Sequence, residues 1–569
     1  MKETITIGLV GSGGDGVVVM GSLLQRLAAA QGYFSQMPRY YGAQIRGGGS
    51  AVKLNLDGER LSLPRDELDI LVCFDWEKYL EFEQELPLDI HSIVLYEEKP
   101  PATMNLPQRS CQAHFARKSQ EVTGSAQNKN LVALGLLLKM LALPQDRVEK
   151  AIDSERGLRL LKGNLSALEA GRGLLPDMSF SRLHLLPAHE SLPRPILHGN
   201  AAVAQGATRA GCRAFFGYPI TPAIEVMEEM EKQLSRNGGA FLQAEDEIAS
   251  AGLAIGASIS GAKAMSSTSG PGLDLMTEML GLSSSAEIPL VLVDVQRCGP
   301  STGIPSKSEQ SDLSHAIYGG HGDAPRVVIA PHDIEGCYRL AIESFNIAEQ
   351  FQTPVILLSD QWLGQTTMAV GGEFLAKDYA IEERKKPVGA ELSGYRRYRF
   401  TEDSVSPMSV VGDEGGVYQT TGLTHNEKGF PAFNFETNQK MHEKRMRKLM
   451  PLRKRDDLVN VFGDEKSDRG IITWGSTGQV VWETVRHLGL EQEIKVCVPE
   501  LLWPLPDKVR EFLRSVKRLL VVEMNYSGQM YRYLRSEAEM PKRTESYCRA
   551  GGRPFSRKEL TGPIMETSK

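Results

Sequence analysis

Four short segments of the 569-residue chain contain polar and glycine-rich residues of the kinds that line ligand sites. Each segment follows a run of residues that predicts a buried β-strand. In a parallel α/β sheet the carboxyl ends of the strands share one edge, and ligands bind there. The spacing therefore predicts one site at that edge, built from FFGYPITP (215–222), AEDEIASAG (244–252), SSTSGPG (266–272) and VQRCGPSTGIPSKSEQSDL (295–313).

Glu247 is the residue of these segments that is best placed for acid–base chemistry. The small residues that follow it predict a tightly packed helix, so its carboxyl group should be partly withdrawn from water and suited to sharing a proton. The alternative is an acid that complements the dipole at a helix N-terminus, which fits Glu245 and Asp246 better.

Thr221 carries a hydroxyl group between two prolines of YPITP, and the prolines restrict the backbone that aims it. This hydroxyl group either contacts a ligand or caps the following helix, and the two roles are compatible.

The N-terminal loop GSGGDG (11–16) fits two glycine patterns. Gly11, Gly13 and Gly16 satisfy the dinucleotide pattern between a strand and a helix, but no acidic residue lies between the loop and Asp57 to hold a ribose. GDG opens the pattern for Mg²⁺ and thiamine diphosphate, but the asparagine that should complete it is missing. The surviving hypothesis is a phosphate at a helix N-terminus, with a tight turn as the alternative.

The alternation of strand-like and helix-like runs predicts an α/β fold of three doubly wound parallel-sheet domains. A proline-rich linker and an irregular charged segment separate these domains. The basic run KMHEKRMRKLMPLRKR (440–455) is typical of a solvated or partner-facing helix. The predicted parts are a first domain at 1–170, a linker at 171–195, a second domain at 196–375, a connecting segment at 376–460 and a third domain at 461–569.

Composition argues against several classes of protein. The formal charge of −6 predicts no bulk attraction to nucleic acid. The longest apolar run, at 131–143, is interrupted by Lys139 and is too short to cross a membrane, and no signal peptide is recognisable, so we expect a cytoplasmic protein. The seven cysteines show no CxxC or CxxH spacing, which predicts free thiols rather than metal or iron–sulfur ligands.

The four segments resemble the α subunits of 2-oxoacid:ferredoxin oxidoreductases, thiamine-dependent enzymes that oxidise 2-oxoacids to acyl-CoA. YPITP resembles the signature of the family's pyrimidine-binding domain. EDEIA, GPSTGxP and SEQSDL resemble the 2-oxoglutarate-type branch, as do HNEKG (425–429), EMNYSGQ (523–529) and GRPFS (552–556). Residues 1–165 resemble the family's γ subunit, here fused ahead of α.

The resemblance implies a γ-like domain, a thiamine pyrimidine-binding domain and a transketolase C-terminal-like domain. The sequence departs from the family pattern at Asp15, where Gln is usual, and at Ser306 and Ser308, where Thr is usual. The two serines keep the hydroxyl groups.

The resemblance also implies roles for single residues. Glu247 would contact N1′ of the aminopyrimidine, and Thr221 would contact the reacting 2-oxoacid. Arg297 or Lys307 would bind the carboxylate of that acid, although each could instead form a structural ion pair. The substrate set would be completed by Ser301 and Thr302, the cofactor set by Tyr218, Pro219, Ile220, Ser269, Gly270 and Gly272, and a CoA set would comprise Gly11, Gly13, Gly14, Gly16 and Arg46.

The implied reaction is the oxidative decarboxylation of a 2-oxoacid with CoA, with ferredoxin as the electron acceptor, in either direction. 2-Oxoglutarate giving succinyl-CoA is favoured, and pyruvate or a branched-chain 2-oxoacid are alternatives. A separate β subunit would supply the diphosphate and Mg²⁺ site and a [4Fe-4S] cluster, in an (αβ)₂ assembly. A non-oxidative thiamine enzyme, a non-catalytic scaffold subunit and an NAD-dependent enzyme remain alternative hypotheses.

Overall fold

The structure of the chain is a computed structural model that describes residues 3–42, 48–61, 63, 65–143, 162–174, 183 and 185–568. The chain forms two compact units, Met1–His198 with Gln365–Lys377 and Gly199–Gly364 with Asp378–Lys569. Among the described residues, no helix is long and apolar enough to traverse a lipid bilayer.

The first unit is built on a mixed nine-stranded sheet. Its helices are α1 (Val17–Ala29), α2 (Trp76–Glu81), α3 (Phe115–Thr123), α4 (Lys129–Met140), α5 (Lys162–Gly173) and α13 (Glu373–Ala376). Its strands are β1 (Thr4–Ser12), β2 (Phe34–Met37), β3 (Arg39–Tyr41), β4 (Gly49–Asp57), β5 (Ile70–Cys73), β6 (Ile93–Tyr96), β7 (Ser110–Gln112), β8 (Ile196–Leu197) and β15 (Thr367–Ala369).

The α/β class is confirmed, but this sheet is only half parallel. Strands β1, β5, β6 and β7 pair in parallel, whereas β4 pairs antiparallel with β1, β2 and β3. The connection from β3 to β4 is too short for a crossover helix, so it can join only antiparallel strands. β8 and β15 extend the sheet beyond β2, and both are too short to be recognised from periodicity.

The second unit contains two further sheets. The seven-stranded sheet has the order β10-β9-β11-β12-β14-β13-β19 and the five-stranded sheet the order β16-β18-β17-β20-β21. The strands are β9 (Ala214–Gly217), β10 (Ala240–Gln243), β11 (Ala264–Thr268), β12 (Leu290–Gln296), β13 (Val327–Ile329), β14 (Pro354–Asp360), β16 (Val459–Phe462), β17 (Arg469–Ile472), β18 (Lys495–Pro499), β19 (Leu501–Trp503), β20 (Arg518–Glu523) and β21 (Arg543–Cys548).

Helices flank both sheets of this unit. They are α6 (Gly199–Arg209), α7 (Ile224–Asn237), α8 (Glu247–Ile259), α9 (Gly270–Ser285), α10 (Leu313–Tyr318), α11 (Ile334–Phe351), α12 (Gln361–Gln365), α14 (Phe435–Arg447), α15 (Thr477–His487), α16 (Asp507–Ser515), α17 (Gln529–Glu537) and α18 (Arg557–Ser568). Short 3₁₀ turns occupy Ala126–Asn128 of the first unit and Gly389–Leu392, Met450–Lys454 and Asp456–Leu458 of the second.

The two sheets of the second unit share one core. Strands β12 and β14 are buried along their whole length, as continuous apolar strands of a parallel sheet should be. β19, which belongs to the C-terminal part of the sequence, pairs antiparallel with β13 of the larger sheet. One apolar cluster accordingly contains Leu292 and Ile356 of the larger sheet with Val521 and Leu534 of the C-terminal part.

The basic run at 440–455 is not a solvated helix, contrary to the sequence-based expectation. Its Lys444, Arg445 and Lys448 are buried. Lys444 Nζ lies 2.5 Å and Lys448 Nζ 3.0 Å from the carboxylate of Glu287, which is itself fully buried. The helix therefore attaches the connecting segment to the larger sheet through buried ion pairs.

Charge compensation maintains this cluster. Burial alone would raise the pKa of Glu287, but the nearby Lys444, Lys448 and Arg397 hold that pKa far below its usual range. Burial lowers the pKa of Lys448 to about 8, against the opposing effect of Glu287. Glu287 is thus an anion that neutralises cations otherwise buried without a counter-charge.

We expect Glu287→Gln to destabilise the second unit by about 3–5 kcal/mol, because the substitution leaves buried lysines uncompensated. Chemical unfolding followed by circular dichroism measures the change. Glu436→Gln is the matched control, because Glu436 pairs with Lys440 on the exposed surface of α14. Equal effects of the two substitutions would contradict the role given to Glu287.

Candidate active site

The four polar segments meet at one edge of the seven-stranded sheet. Strands β10, β9, β11 and β12 are neighbours and run parallel. YPITP follows β9, AEDEIASAG follows β10, SSTSGPG links β11 to α9, and VQRCGPSTG continues from β12. The structure therefore brings together the carboxyl-end loops that the strand pattern predicted would converge.

Glu247 is the first residue of α8 and is only 6% exposed. The preceding residue, Asp246, caps the helix, because its Oδ1 accepts a hydrogen bond from Ala249 N at 2.7 Å. The capping role considered for an acid in this segment thus belongs to Asp246. Capping does not explain why the Glu247 carboxyl is buried, and a buried carboxyl needs a partner.

Gly272 leaves the space that the side chain of Glu247 occupies. A Cβ atom on Gly272 would lie 2.6 Å from Glu247 Oε1 and 2.0 Å from Thr268 Oγ1. Both distances are shorter than ordinary nonbonded contacts, so a larger residue cannot fit without displacing Glu247 or Thr268. The first turn of α9 therefore packs directly against the carboxyl group.

Two buried hydroxyl groups near the start of α9 have no hydrogen-bond partner among the described residues. They belong to Ser266 and Ser269, and both residues are fully buried. Buried hydroxyl groups are normally satisfied, so an unpartnered pair at a ligand-binding edge fits a polar group that completes the site.

YPITP and the segment after β12 are joined by a hydrogen bond. Arg297 Nη1 donates to the backbone oxygen of Thr221 at 2.7 Å. The N-cap residue of α7 is Ala223, so Thr221 does not cap that helix. Tyr218 is 40% exposed, Pro219 and Ile220 are partly buried, and the Thr221–Pro222 peptide is cis.

The GPSTG loop folds back on itself. Cys298 N donates to Lys307 O, and Ile304 N donates to Cys298 O, each at 3.0 Å. A Cβ on Gly303 would collide with Cys298 O, so this turn requires glycine at its positive φ of 49°. The loop is a compact turn that ends where SEQSDL begins.

SEQSDL is held by the C-terminal part of the chain. Gln310 Nε2 donates to Trp474 O at 2.9 Å, and its Oε1 accepts from Thr477 Oγ1 at 2.6 Å. Asn525 Nδ2 donates to Gln310 O at 3.1 Å, and Gln529 Nε2 donates to Ser311 O at 2.6 Å. Asn525 and Gln529, in EMNYSGQ, therefore position SEQSDL.

A cavity of about 470 Å³ is lined by the SSTSGPG segment, the segment after β12 and the C-terminal part of the chain, whereas Glu247 and Thr221 are not among its described lining residues. Arg297 and Ser301 line it, whereas Thr302 and Lys307 are not among the described residues that do. Asp312 and His315 also line it and were not singled out from the sequence, since a motif does not reveal which of its side chains face inward. The remaining lining residues are Gly270, Pro271, Asp274, Cys298, Gly299, Pro300, Glu309, Ser311, Asn525, Tyr526, Ser527, Gln529 and Ala550.

Burial perturbs the charged groups at this edge. It raises the pKa of Asp312 to about 7 and the pKa of Asp294 well above its usual value. Burial lowers the pKa of Arg297, while Asp312 and Asp294 act in the opposite direction. Perturbed pKa values in a cavity are typical of functional sites.

Comparison with known proteins identifies the family. Residues 205–444 match the model described as pyruvate flavodoxin/ferredoxin oxidoreductase, thiamine diphosphate-binding, and residues 6–174 match the model described as pyruvate ferredoxin/flavodoxin oxidoreductase. The 2-oxoglutarate synthase subunit KorA of Methanothermobacter marburgensis is 37% identical to this chain, over 65% of this chain and 98% of that subunit. The chain belongs to the 2-oxoacid:ferredoxin oxidoreductase family.

Full-length similarity extends to other members of the 2-oxoacid:ferredoxin oxidoreductase family. The 2-oxoacid:ferredoxin oxidoreductase subunit alpha of Sulfolobus sp. is 29% identical over 98% of this chain and 96% of its own length. A solved structure of 2-oxoglutarate:ferredoxin oxidoreductase from Magnetococcus marinus, with 2-oxoglutarate, coenzyme A and succinyl-CoA bound, is 33% identical, has a TM-score of 0.92 and covers 100% of both chains. The family predicted from the motifs is confirmed, and its members are oxidoreductases.

The side chain of Asp15 fills part of the glycine-rich loop of this 2-oxoacid:ferredoxin oxidoreductase chain. Asp15 Oδ2 accepts a hydrogen bond from Ser12 N at 2.9 Å, and Asp15 Oδ1 lies 2.9 Å from Lys129 Nζ. Gly13 N donates to Gly48 O, whereas a Cβ on Gly14 would meet nothing within 4 Å. A Cβ atom on Gly11 would lie 2.7 Å from Asp15 Oδ2, and Gly16 is the N-cap residue of α1, with a positive φ. Arg46 lies outside the described residues.

We expect Gly272→Ala to abolish most oxidoreductase activity, because the added methyl group would displace the carboxyl group of Glu247 or the hydroxyl group of Thr268. Steady-state 2-oxoacid oxidation by the assembled enzyme measures the loss, which should exceed about 100-fold. Gly281→Ala is the control on the same helix, because nothing lies within 4 Å of its added Cβ. A fully active Gly272→Ala enzyme would show that the close contact is not needed.

Proposed function

We propose that this chain is the α-type subunit, with a γ-type unit fused ahead of it, of a thiamine diphosphate-dependent 2-oxoglutarate:ferredoxin oxidoreductase. The reaction converts 2-oxoglutarate and CoA into succinyl-CoA and CO₂ and passes the released electrons to ferredoxin, in either direction. The burial of Glu247 against Gly272, inside the region that matches the thiamine diphosphate-binding model, carries this proposal. Two relatives named for 2-oxoglutarate support the choice of substrate.

The residues around Glu247 fit the pyrimidine end of thiamine diphosphate. A carboxyl group largely withdrawn from water can share a proton with N1′, and the unpartnered Ser269 hydroxyl offers a further polar contact. When bound, the cofactor would supply a carbon nucleophile and an electron sink for the decarboxylation. The remaining cofactor contacts assigned to this chain are Tyr218, Pro219, Ile220, Gly270 and Gly272.

Arg297 is the cation that we assign to the substrate carboxylate. It lines the cavity, and its Nε has no hydrogen-bond partner among the described residues, so a carboxylate would satisfy it. Its bond to Thr221 O joins YPITP to this cavity-lining residue, which supports a role for Thr221 near the substrate. Ser301 lines the cavity and can donate its hydroxyl group, whereas Thr302 and Lys307 receive less support.

We assign CoA to the glycine-rich loop of the γ-type unit. The loop opens α1, and helix N-termini with glycine amides bind phosphate. Gly14 leaves open space, and Lys129 adds a cation, although it is paired with Asp15. Gly11, Gly13 and Gly16 shape the turn.

A partner β subunit is part of the proposal. The full-length relative from Sulfolobus is named as a subunit alpha, which supports an assembly of more than one kind of chain. We assign the diphosphate and Mg²⁺ site and the [4Fe-4S] cluster to that partner, in an (αβ)₂ assembly that reduces ferredoxin.

The direct test is to purify the chain with its partner and follow the reduction of a dye by a panel of 2-oxoacids, with and without CoA. We expect CoA-dependent reduction with the highest kcat/KM for 2-oxoglutarate. A higher kcat/KM for pyruvate or a branched-chain 2-oxoacid would overturn the substrate, and a partner without iron would favour a non-oxidative thiamine enzyme.

We expect Glu247→Gln to lower kcat by about 10²–10⁴-fold, because the amide cannot share a proton with the cofactor. The assay is dye reduction by the assembled enzyme at saturating 2-oxoacid and CoA. Glu245→Gln is the neighbouring control, because Glu245 is exposed, and we expect it to retain activity. Unchanged activity in Glu247→Gln would favour a scaffold subunit.

We expect Arg297→Lys to raise the KM for the 2-oxoacid by about 10–100-fold, because lysine cannot form two parallel hydrogen bonds to a carboxylate. Steady-state kinetics at saturating CoA separate this effect from a change in kcat. Lys307→Gln should change the KM less. If Lys307→Gln raised the KM more than Arg297→Lys does, Lys307 would be the residue that binds the carboxylate.

A further inference from the structure

Two buried carboxyl groups lie beside Arg297. Asp294, on β12, is fully buried, and neither of its carboxylate oxygens has a hydrogen-bond donor among the described residues. Asp312, which precedes α10, adds a third unsatisfied oxygen, Oδ2. The two groups interact through their side chains.

Two ionised carboxylates cannot remain adjacent in a buried site, because their repulsion adds to the loss of hydration. One proton held between them removes the conflict, since the protonated group then donates a hydrogen bond to the ionised one. This arrangement gives a partner to oxygens that otherwise have none. It leaves the pair with a single negative charge, which balances the positive charge of Arg297.

Hydrogen bonds hold the backbone at Asp312, so the position of its side chain is well defined. Asp312 N donates to Gln296 Oε1 at 3.1 Å, and Gln296 Nε2 donates to Ser359 O at 2.9 Å. Asp312 Oδ2 lies 3.2 Å from the position of a Cβ atom on Gly270, at the start of α9. Asp312 thus joins the cavity wall to Asp294 behind it.

We infer that Asp294 and Asp312 share one proton and, as a positioning pair, set the charge beside Arg297 in the pocket that receives the 2-oxoacid. The pair rests on the contacts above, whereas its effect on a 2-oxoacid rests on the proposed function. A second ionisation of the pair would add negative charge where an anionic substrate must bind.

Other charged groups around the pair also shift the pKa of Asp312. Burial is the main cause that raises the pKa of Asp312 to about 7, and Asp274 and Glu309 raise it further while Arg297 lowers it. Glu309 accepts hydrogen bonds from Gly299 N and Gly551 N, each at 3.0 Å. His315 lies on the same wall, with Nδ1 3.5 Å from Asp274 and Nε2 3.1 Å from Thr277 Oγ1.

We expect the KM for the 2-oxoacid to rise as the pH is raised above 7, because the fraction of enzyme whose pair retains a proton falls. Asp312→Asn should abolish this rise, since its amide donates to Asp294 and reproduces the singly charged state. Asp294→Asn should abolish it as well. Glu436→Gln is the control, because Glu436 pairs with Lys440 on the exposed surface of α14 and is not among the described residues that line the cavity, and it should keep the rise. A rise that persists in both pair variants would overturn the inference.

A second measurement does not depend on turnover. Between about pH 4 and pH 7 the folded chain holds a proton that the unfolded chain releases, so wild-type stability falls as the pH rises. The melting temperature of Asp312→Asn relative to wild type should therefore increase from pH 5 to pH 7, by about 1–3 °C. A difference that does not change with pH would overturn the shared proton.

The two results separate this inference from the proposed function. If 2-oxoacids are not turned over but the melting temperatures behave as expected, the pair stands and the substrate is wrong. If turnover is as proposed but neither the KM profile nor the melting temperatures respond to Asp312→Asn, the function stands and the pair is wrong.

Discussion

The contact between Glu247 and the first turn of α9 is the constraint on which the candidate site depends. A carboxyl group can lie there, largely shielded from water, only because position 272 carries no side chain. This contact fixes the spacing between α8 and α9, and with it the carboxyl end of β11 that lies between them. The buried hydroxyl groups of Ser266 and Ser269 near that end have no hydrogen-bond partner among the described residues.

The second requirement is a wall for the cavity, and the chain builds it from distant parts. SEQSDL follows the GPSTG loop, yet its position is fixed by side chains and backbone groups of the last hundred residues. Gln310 alone is bonded to Trp474, Thr477 and Asn525. The C-terminal part of the chain is therefore more than a neighbour of the seven-stranded sheet, because EMNYSGQ supplies part of the cavity wall.

Buried charge serves two different purposes in this unit. Around Glu287, cations outnumber the anion, and ion pairs attach the connecting segment to the sheet. Around Arg297, carboxyl groups outnumber the cation, and the excess faces a cavity. Buried ion pairs maintain a fold, whereas buried charges beside a cavity can respond to an ionic ligand.

The sequence by itself determined the α/β class, the family and the four segments that form the edge of the sheet. These features are local, because strand periodicity and the glycine and proline spacing of a loop are written in consecutive residues. The family motifs also indicated Glu247 and Arg297. The roles given to these residues remain proposals that rest on their surroundings.

Only the tertiary structure decided which charges meet. The basic run at 440–455 has the composition of a solvated helix. Glu287, the buried glutamate that pairs with Lys444, lies 157 residues from it in the sequence. Asp294 reads as one polar residue in an apolar strand, and nothing in its neighbourhood points to Asp312. The sequence pattern also gave no indication of the antiparallel half of the first sheet. Partner choice is set by the three-dimensional path of the chain, whereas periodicity reports only whether a residue is buried.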